Sequence, residues 1–550
     1  MKLREGGASL VSRALGVCLV MAAALGVWVP AWAQEGAQEG GAAASPPVVR
    51  ADAPGRWIRG ESEHFIVYSD RSEALVRRYV TMLEDFDGVL RLLHNKTDVE
   101  TPRKLPLYLL SNSRQLRRVI PDADERLQGV YLTGVEDIFV LAIRDDSNAY
   151  DRNNGDDTVL HEYTHHFMMQ YFPDAYPGWL VEGLAEYYKT IDLQMKKVQI
   201  GDFSRGRGNA LLNDKWLPMS DVLSKRPSQL DRDAVLTFYA QSWLLTHYIW
   251  SDKVRRSKLQ DYLELVRAHG DPMASWTKVY GQDSATLEKT LRSYMKLLPV
   301  LTIGREPPTP QIAFSRLPAG ADDLVLEVQR LKTGVAKTDA PALLARFQEA
   351  AAKRPDEFYS RLALARAEID LGDRAKGEAI LKTLLEERPS DLEALQVMAY
   401  SRLETARRLA RTPADREKAR AVYADAAGYL GRAHKIDDDN YLTLYGYTET
   451  KSLDREPSQN TLNVVFRAAS IAPQNPAIRM NAARLFIRAK KYEIARELLE
   501  PVAGNPHGGL QARRAGHLLT SLEGKADGEA LTPAKAAAAS GEGDKDAPGG

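Results

Sequence analysis

Asp156-Asp157-Thr158-Val159-Leu160-His161-Glu162-Tyr163-Thr164-His165-His166 is the stretch on which the reading of this 550-residue chain turns. It contains His-Glu-x-x-His. On a helix, positions i and i+4 project from one face, one turn apart. Two imidazoles so placed suit one zinc ion, and Glu162 then lies beside a water on that ion without ligating it. Asp156 and Asp157 suit a helix start, and Val159, Leu160, Tyr163, Phe167 and Met168 give the helix an apolar face. The alternative is an ordinary amphipathic helix with two solvated or core-satisfied histidines. His166 points away from the other two and is expected to be structural.

Downstream comes Tyr176-Pro177-Gly178-Trp179-Leu180-Val181-Glu182-Gly183-Leu184-Ala185-Glu186-Tyr187. Glu182 lies 17 positions after His165, room for the rest of one helix, a turn and a return helix. Glu182 and Glu186 are again i and i+4. The first is the candidate third metal ligand; the second is placed to accept a hydrogen bond from a ligand imidazole and fix its tautomer. Gly183 and Ala185 keep that helix thin. A surface helix with two solvated glutamates is the competing reading, and it explains neither the small residues nor the Trp179-Leu180 lead-in.

HEYTH followed by WLVEGLAEYY resembles the gluzincin peptidases, the group that includes thermolysin and the zinc aminopeptidases, and most closely peptidase MA-like domains. The resemblance covers about residues 60 to 300. It implies an α+β zincin-like catalytic domain, Zn2+ held by His161, His165 and Glu182, Glu162 as general base and Glu186 at the second acidic position, where thermolysin has Asp. A Tyr or His from a later helix often stabilises the oxyanion in this group. The candidate is Tyr239, with core packing among Phe238, Trp243 and Leu244 as the competing role; His247 and Tyr248 lie two turns further on. Gly134-Val135-Glu136-Asp137 lies where zinc aminopeptidases carry an amine-binding strand, but it lacks the Met and Asn of that motif and reads as a hairpin turn. An endopeptidase acting on peptide or protein substrates is therefore expected ahead of an aminopeptidase.

Around this centre, short aromatic and β-branched runs at 64–68, 105–110, 129–133 and 138–143 predict strands, the last two a hairpin. Apolar spacing predicts helices over 75–93, 157–171, 178–189, 235–251, 255–268 and 284–296. Strands first and helices afterwards argue for an α+β domain at 57–301. The Pro-rich 302–340 is expected to be a linker. From 341 to 522 the chain reads as an all-α tetratricopeptide-type helical-repeat domain: Pro355 and Pro389 lie 34 positions apart around Leu364, Ala365, Leu371-Gly372-Asp373 and Gly377, and a second match runs from Asn475-Pro476 to Asn505-Pro506. Residues 400–470 fit the repeat poorly. Such repeats would recruit a substrate or protein partner, or only scaffold the catalytic half.

The N-terminal segment carries an addressing signal. Residues 1–33 read as a cleaved secretory signal: Lys2, Arg4 and Arg13, an apolar Ala14–Pro30, then Ala31-Trp32-Ala33. The mature chain is thus expected to be exported, periplasmic or secreted, with no stable membrane span. Residues 34–56 read as a disordered leader and 523–550 as a disordered tail. Cys18, the sole cysteine, falls in the signal, which excludes disulfides, thiolate nucleophiles and Cys-ligated metal from the mature chain. Equal numbers of basic and acidic residues, 74 each, give no charge excess for nucleic acid. Two other classes stay open: a non-catalytic tetratricopeptide adaptor, and a cell-envelope scaffold with a structural metal, which would normally need a fourth protein ligand.

Overall fold

A computed structural model describes residues 52–124, 127–144, 154–202, 205–268 and 270–531. The expected signal segment and most of the leader and tail lie outside the described residues. The chain forms two compact units that alternate along the sequence. One holds residues 52–173, 307–502 and 514–531; the other, the insert unit, holds 174–306 and 503–513.

The first unit opens with β1 (Pro54–Glu61), β2 (Phe65–Ser69), α1 (Glu73–Leu93), β3 (Leu105–Leu110), β4 (Gly129–Thr133), β5 (Ile138–Ile143) and α2 (Asn154–Tyr171). The insert unit follows with α3 (Gly178–Tyr188), β6 (Asp192–Gln194), β7 (Lys197–Ile200), α4 (Arg232–Trp250) and β8 (Leu301–Gly304), and shorter helices between them. The chain then returns to the first unit with β9 (Ala313–Pro318) and α5 (Ala321–Thr333).

The sheet of the first unit has six strands in the order β4-β5-β3-β2-β1-β9. β2 and β5 flank β3 in parallel, and the remaining pairs are antiparallel, β4 and β5 forming the expected hairpin. Both faces are covered, so β3 and β5 are apolar on both sides rather than alternating. Tyr108, Leu110, Phe139 and Leu141 pack against Leu116, Val119, Val325 and Leu326 on one side. On the other, Phe65 meets Tyr163 of α2, and Phe86 of α1 meets the same ring.

The expected linker is corrected here. Within 302–340, β8 pairs with β7, β9 pairs with β1, and α5 covers the sheet. The Pro-rich stretch spans only the gap between two strands. The leader boundary moves too: Pro54–Arg56 belong to β1, and Ala319 N donates to Ala53 O at 2.7 Å. So does the tail boundary. Asp527 Oδ1 accepts from Tyr492 N at 2.6 Å, and Tyr492 Oη donates to Glu529 O at 2.6 Å, which ties residues past 523 to a helix start.

Beyond α5 the regular elements of the described residues are all helices, the main ones α6 (Ala340–Lys353), α7 (Phe358–Leu371), α8 (Arg374–Glu387), α9 (Leu392–Ala410), α10 (Arg416–His434), α11 (Tyr441–Glu449), α12 (Gln459–Ile471), α13 (Pro476–Arg488), α14 (Tyr492–Ala503) and α15 (Gly509–Ser521). From α6 to α13 each helix packs against the next, as in tetratricopeptide-like repeats. A Cβ on Gly377 would lie 2.5 Å from Ala365 O, so glycine is what lets α7 and α8 close. The side chains of Asp391, Asn440 and Asn475 each cap the next helix. The poorly fitting middle is explained by α9 and α10, at 19 residues each against 14 for α7 and α8: the unit is lengthened, not lost.

These helices meet the turn between β4 and β5. Arg366 of α7 pairs with Glu136, and Lys332 Nζ of α5 lies 3.4 Å from Asp137 Oδ2. The Arg103 guanidinium stacks over Tyr441 of α11 at 5.6 Å, and Asn475 Nδ2 donates to Gly134 O at 2.6 Å. The Gly134–Asp137 segment is therefore a docking point for the repeats.

Candidate metal centre

His161, Glu162 and His165 lie on the half-buried side of α2, while Leu160, Tyr163, His166 and Phe167 face the core. His161 Nε2 and His165 Nε2 are 3.1 Å apart, with ring planes at 87°. Two nitrogens bound to one tetrahedral zinc at their usual bond lengths stand about 3.3 Å apart. The pair thus fits a shared metal ion.

The core side of α2 is heavily braced. Tyr163 Oη donates to Asp87 Oδ1 at 2.5 Å, and Arg91 Nε donates to Asp87 Oδ2 at 2.5 Å. His64 Nδ1 stands 2.6 Å from Glu84 Oε2 and 3.4 Å from Asp87 Oδ2. This second His-carboxylate cluster already has Arg91 as its cation, and it reads as an anchor for α2. Burial raises the Asp87 carboxyl despite its cationic neighbours.

His166 is structural, as expected. Its Nδ1 lies 2.9 Å from Tyr131 Oη and its ring stacks on Tyr163. Burial pushes its pKa down to about 3, so it stays neutral. Gln474, from the α12–α13 connection, donates to His166 O at 3.3 Å and to Gln170 Oε1 at 3.0 Å. The repeats therefore hold the backbone next to His165.

Glu182, Glu186 and Tyr239 all belong to the insert unit. α3 and α4 pack there at very close range. A Cβ on Gly183 would stand 2.5 Å from Ser242 O and 2.2 Å from Thr246 Oγ1, so only glycine fits between Glu182 and Leu184. Glu182 is fully buried on this helix. Glu186, also buried, receives a two-pronged grip from Arg207, Nε to Oε2 at 2.7 Å and Nη2 to Oε1 at 2.8 Å, with Lys189 Nζ 2.9 Å from Oε1. The Arg207 guanidinium lies over the Tyr239 ring at 5.1 Å. Burial works against the Arg207 charge, but Glu186 more than offsets it and raises its pKa. Tyr239 thus stands beside the Glu186–Arg207 pair. His247, further along α4, is committed elsewhere: Nδ1 is 2.7 Å from Tyr294 Oη and Nε2 is 2.8 Å from Gly201 O.

Two residues here were missed by the sequence reading. Arg207 carries no periodic or motif signal. His507, 325 positions beyond Glu182, has its Nε2 3.3 Å from Glu182 Oε1.

No family model matches the chain, and no curated protein matches it. Among solved structures it is similar to a thermophilic TPR protein from Thermus thermophilus, at 20% identity and a TM-score of 0.31, over 37% of this chain and 100% of that one. The helical-repeat reading rests on the helix pairs and caps described above.

Proposed function

We propose that this chain is an exported zinc-dependent endopeptidase of zincin type, with Zn2+ held by His161, His165 and Glu182. The observation that carries this reading is the His161–His165 pair, Nε2 to Nε2 at 3.1 Å on the open side of α2 with Glu162 between them in sequence. Glu182, on a helix thinned by Gly183, supports it, because a carboxylate beside two imidazoles is a usual donor set for a catalytic zinc. Zinc bound there supplies a Lewis acid and brings water's pKa toward neutrality. Glu162 takes the proton as water attacks the peptide carbonyl, then hands it to the leaving amine. Tyr239 donates a hydrogen bond to the oxyanion, a contribution of about 3 to 4 kcal/mol for one such donor. Glu186, fixed by Arg207, holds the third-ligand helix in place.

The test uses the full chain. It should purify with one zinc per chain and cleave a peptide library, and Glu162→Gln should keep the metal while cleavage falls about 100- to 10,000-fold. Cleavage at the wild-type rate by that variant would falsify the mechanism. A second reading, a non-catalytic repeat adaptor or scaffold with a structural metal, is favoured by one observation: a further imidazole, His507, stands beside Glu182. Metal content with no cleavage under any condition would select it.

A further inference from the structure

The insert unit carries an apolar run that its own fold leaves in solvent. Met295-Lys296-Leu297-Leu298-Pro299-Val300-Leu301-Thr302-Ile303 leads from the helix Ser284–Tyr294 into β8. Leu297 is 78% exposed, Leu301 52% and Val300 42%. Apolar side chains grouped on a surface in this way mark a face that meets another body. At the other end of the same three-stranded sheet, the turn between β6 and β7 leaves Met195 76% exposed.

The run is held at both ends. Tyr294 Oη donates to Ser251 Oγ at 2.6 Å and lies 2.7 Å from His247 Nδ1, whose Nε2 stands 2.8 Å from Gly201 O. At the other end, Leu301 pairs with Ile200 and Ile303 with Val198 of β7. Gly201, at φ +95°, lies against the middle of the run: a Cβ there would stand 3.4 Å from Pro299 O. The exposed leucines therefore project from a fixed frame.

Charge and strand length say what they meet. Stretches 192–197 and 295–306 hold Lys196, Lys197, Lys296 and Arg305 against Asp192 and Glu306. Lys196 and Lys296 are exposed. A second copy of the chain would bring like charges together, which opposes pairing. β8 is also a poor template for another strand, being four residues long with Pro299 before it and Pro307 after it. An anionic lipid surface satisfies both groups: acyl chains accept the leucines and headgroups attract the lysines.

We infer that this face of the insert unit docks on an anionic membrane surface. Leu297, Val300 and Leu301 enter the boundary between headgroups and acyl chains, and Lys196 and Lys296 lie among the headgroups. The attachment is peripheral and independent of the metal site.

The experiment sediments the full chain with vesicles of phosphatidylcholine alone, and of phosphatidylcholine and phosphatidylglycerol in equal parts, at low and raised salt. The chain should pellet with the mixed vesicles, stay in solution with phosphatidylcholine, and be released by salt. Leu297→Glu should weaken binding about tenfold. Lys196→Glu with Lys296→Glu should weaken it by about tenfold or more. Leu92→Glu, at an exposed leucine of the other unit, should change nothing. Circular dichroism of each variant should match the wild type, since every changed side chain is in solvent. The membrane reading is overturned if the chain pellets with neither vesicle, or if Leu297→Glu binds as the wild type does. It is equally overturned if the lipid-free chain forms a dimer that Leu297→Glu disperses, which would make a second copy the partner.

Discussion

Gly183 shows how much one missing methyl controls. Ser242 O is backbone on a helix and has nowhere to go, so Gly183→Ala must push α3 off α4. The expected cost is about 1 to 3 kcal/mol by chemical denaturation, typical of overpacking a tight contact; a neutral result would mean the two helices are not so closely set. Arg207 makes the complementary point. Truncating it takes the two-pronged partner from buried Glu186, and Arg207→Ala should destabilise the protein by about 3 kcal/mol. Arg207→Lys should recover only part of that, because the ammonium lacks the two-pronged geometry. The His161–His165 spacing was legible in the sequence because it depends only on helical geometry. Arg207 and His507 were not: no local rule connects an arginine 21 positions away, or a histidine 325 positions away, to a glutamate it will meet.

At the scale of elements, the turn between β4 and β5 bonds to three parts of the helical region: α5, α7 and the start of α13. Burial alone would raise Glu136, but Arg366 outweighs it and holds the carboxyl below the 4.5 of a free glutamate. A depressed carboxyl stabilises the fold fully above about that pH and loses its contribution as pH falls through the lower folded value. Wild type and Glu136→Gln should therefore differ in denaturation midpoint at pH 7 and converge as the pH falls below 4.5. A constant difference across that range would remove the ion pair from the account. Charge exchange gives a second check: Glu136→Arg and Arg366→Glu should each destabilise, and the double variant should recover part of the loss. The strands 105–110, 129–133 and 138–143 were readable because the structure keeps their apolar runs intact, whereas β9 was not. Its Ala313-Phe314-Ser315-Arg316-Leu317-Pro318 is short, largely exposed and preceded by prolines, and only pairing with β1 makes it a strand.

For the whole molecule, the sequence implied a catalytic half ending at 301 and a separate repeat half, and the fold does not divide there. A fragment of residues 57–301 lacks β9 and α5, so β1 becomes an open edge and Val325 and Leu326 are missing from the core. It should fail to unfold cooperatively by near-UV circular dichroism, and extension to residue 333 should restore part of the transition. A sharp, reversible transition in the shorter fragment would show that the sheet closes without its last strand. Among the described residues, no helix is long and apolar enough to cross a membrane.

The place of β9 in the sheet also sets a clock. The strand that flanks β1 is separated from it by roughly 250 residues, which at ribosomal speeds of about 5 to 20 residues per second is roughly 12 to 50 seconds of waiting. Through that interval the nascent β1 offers unpaired amides and carbonyls to any passing strand. A cell making this protein must shield that border, or deliver the chain unfolded, until residue 318 has emerged.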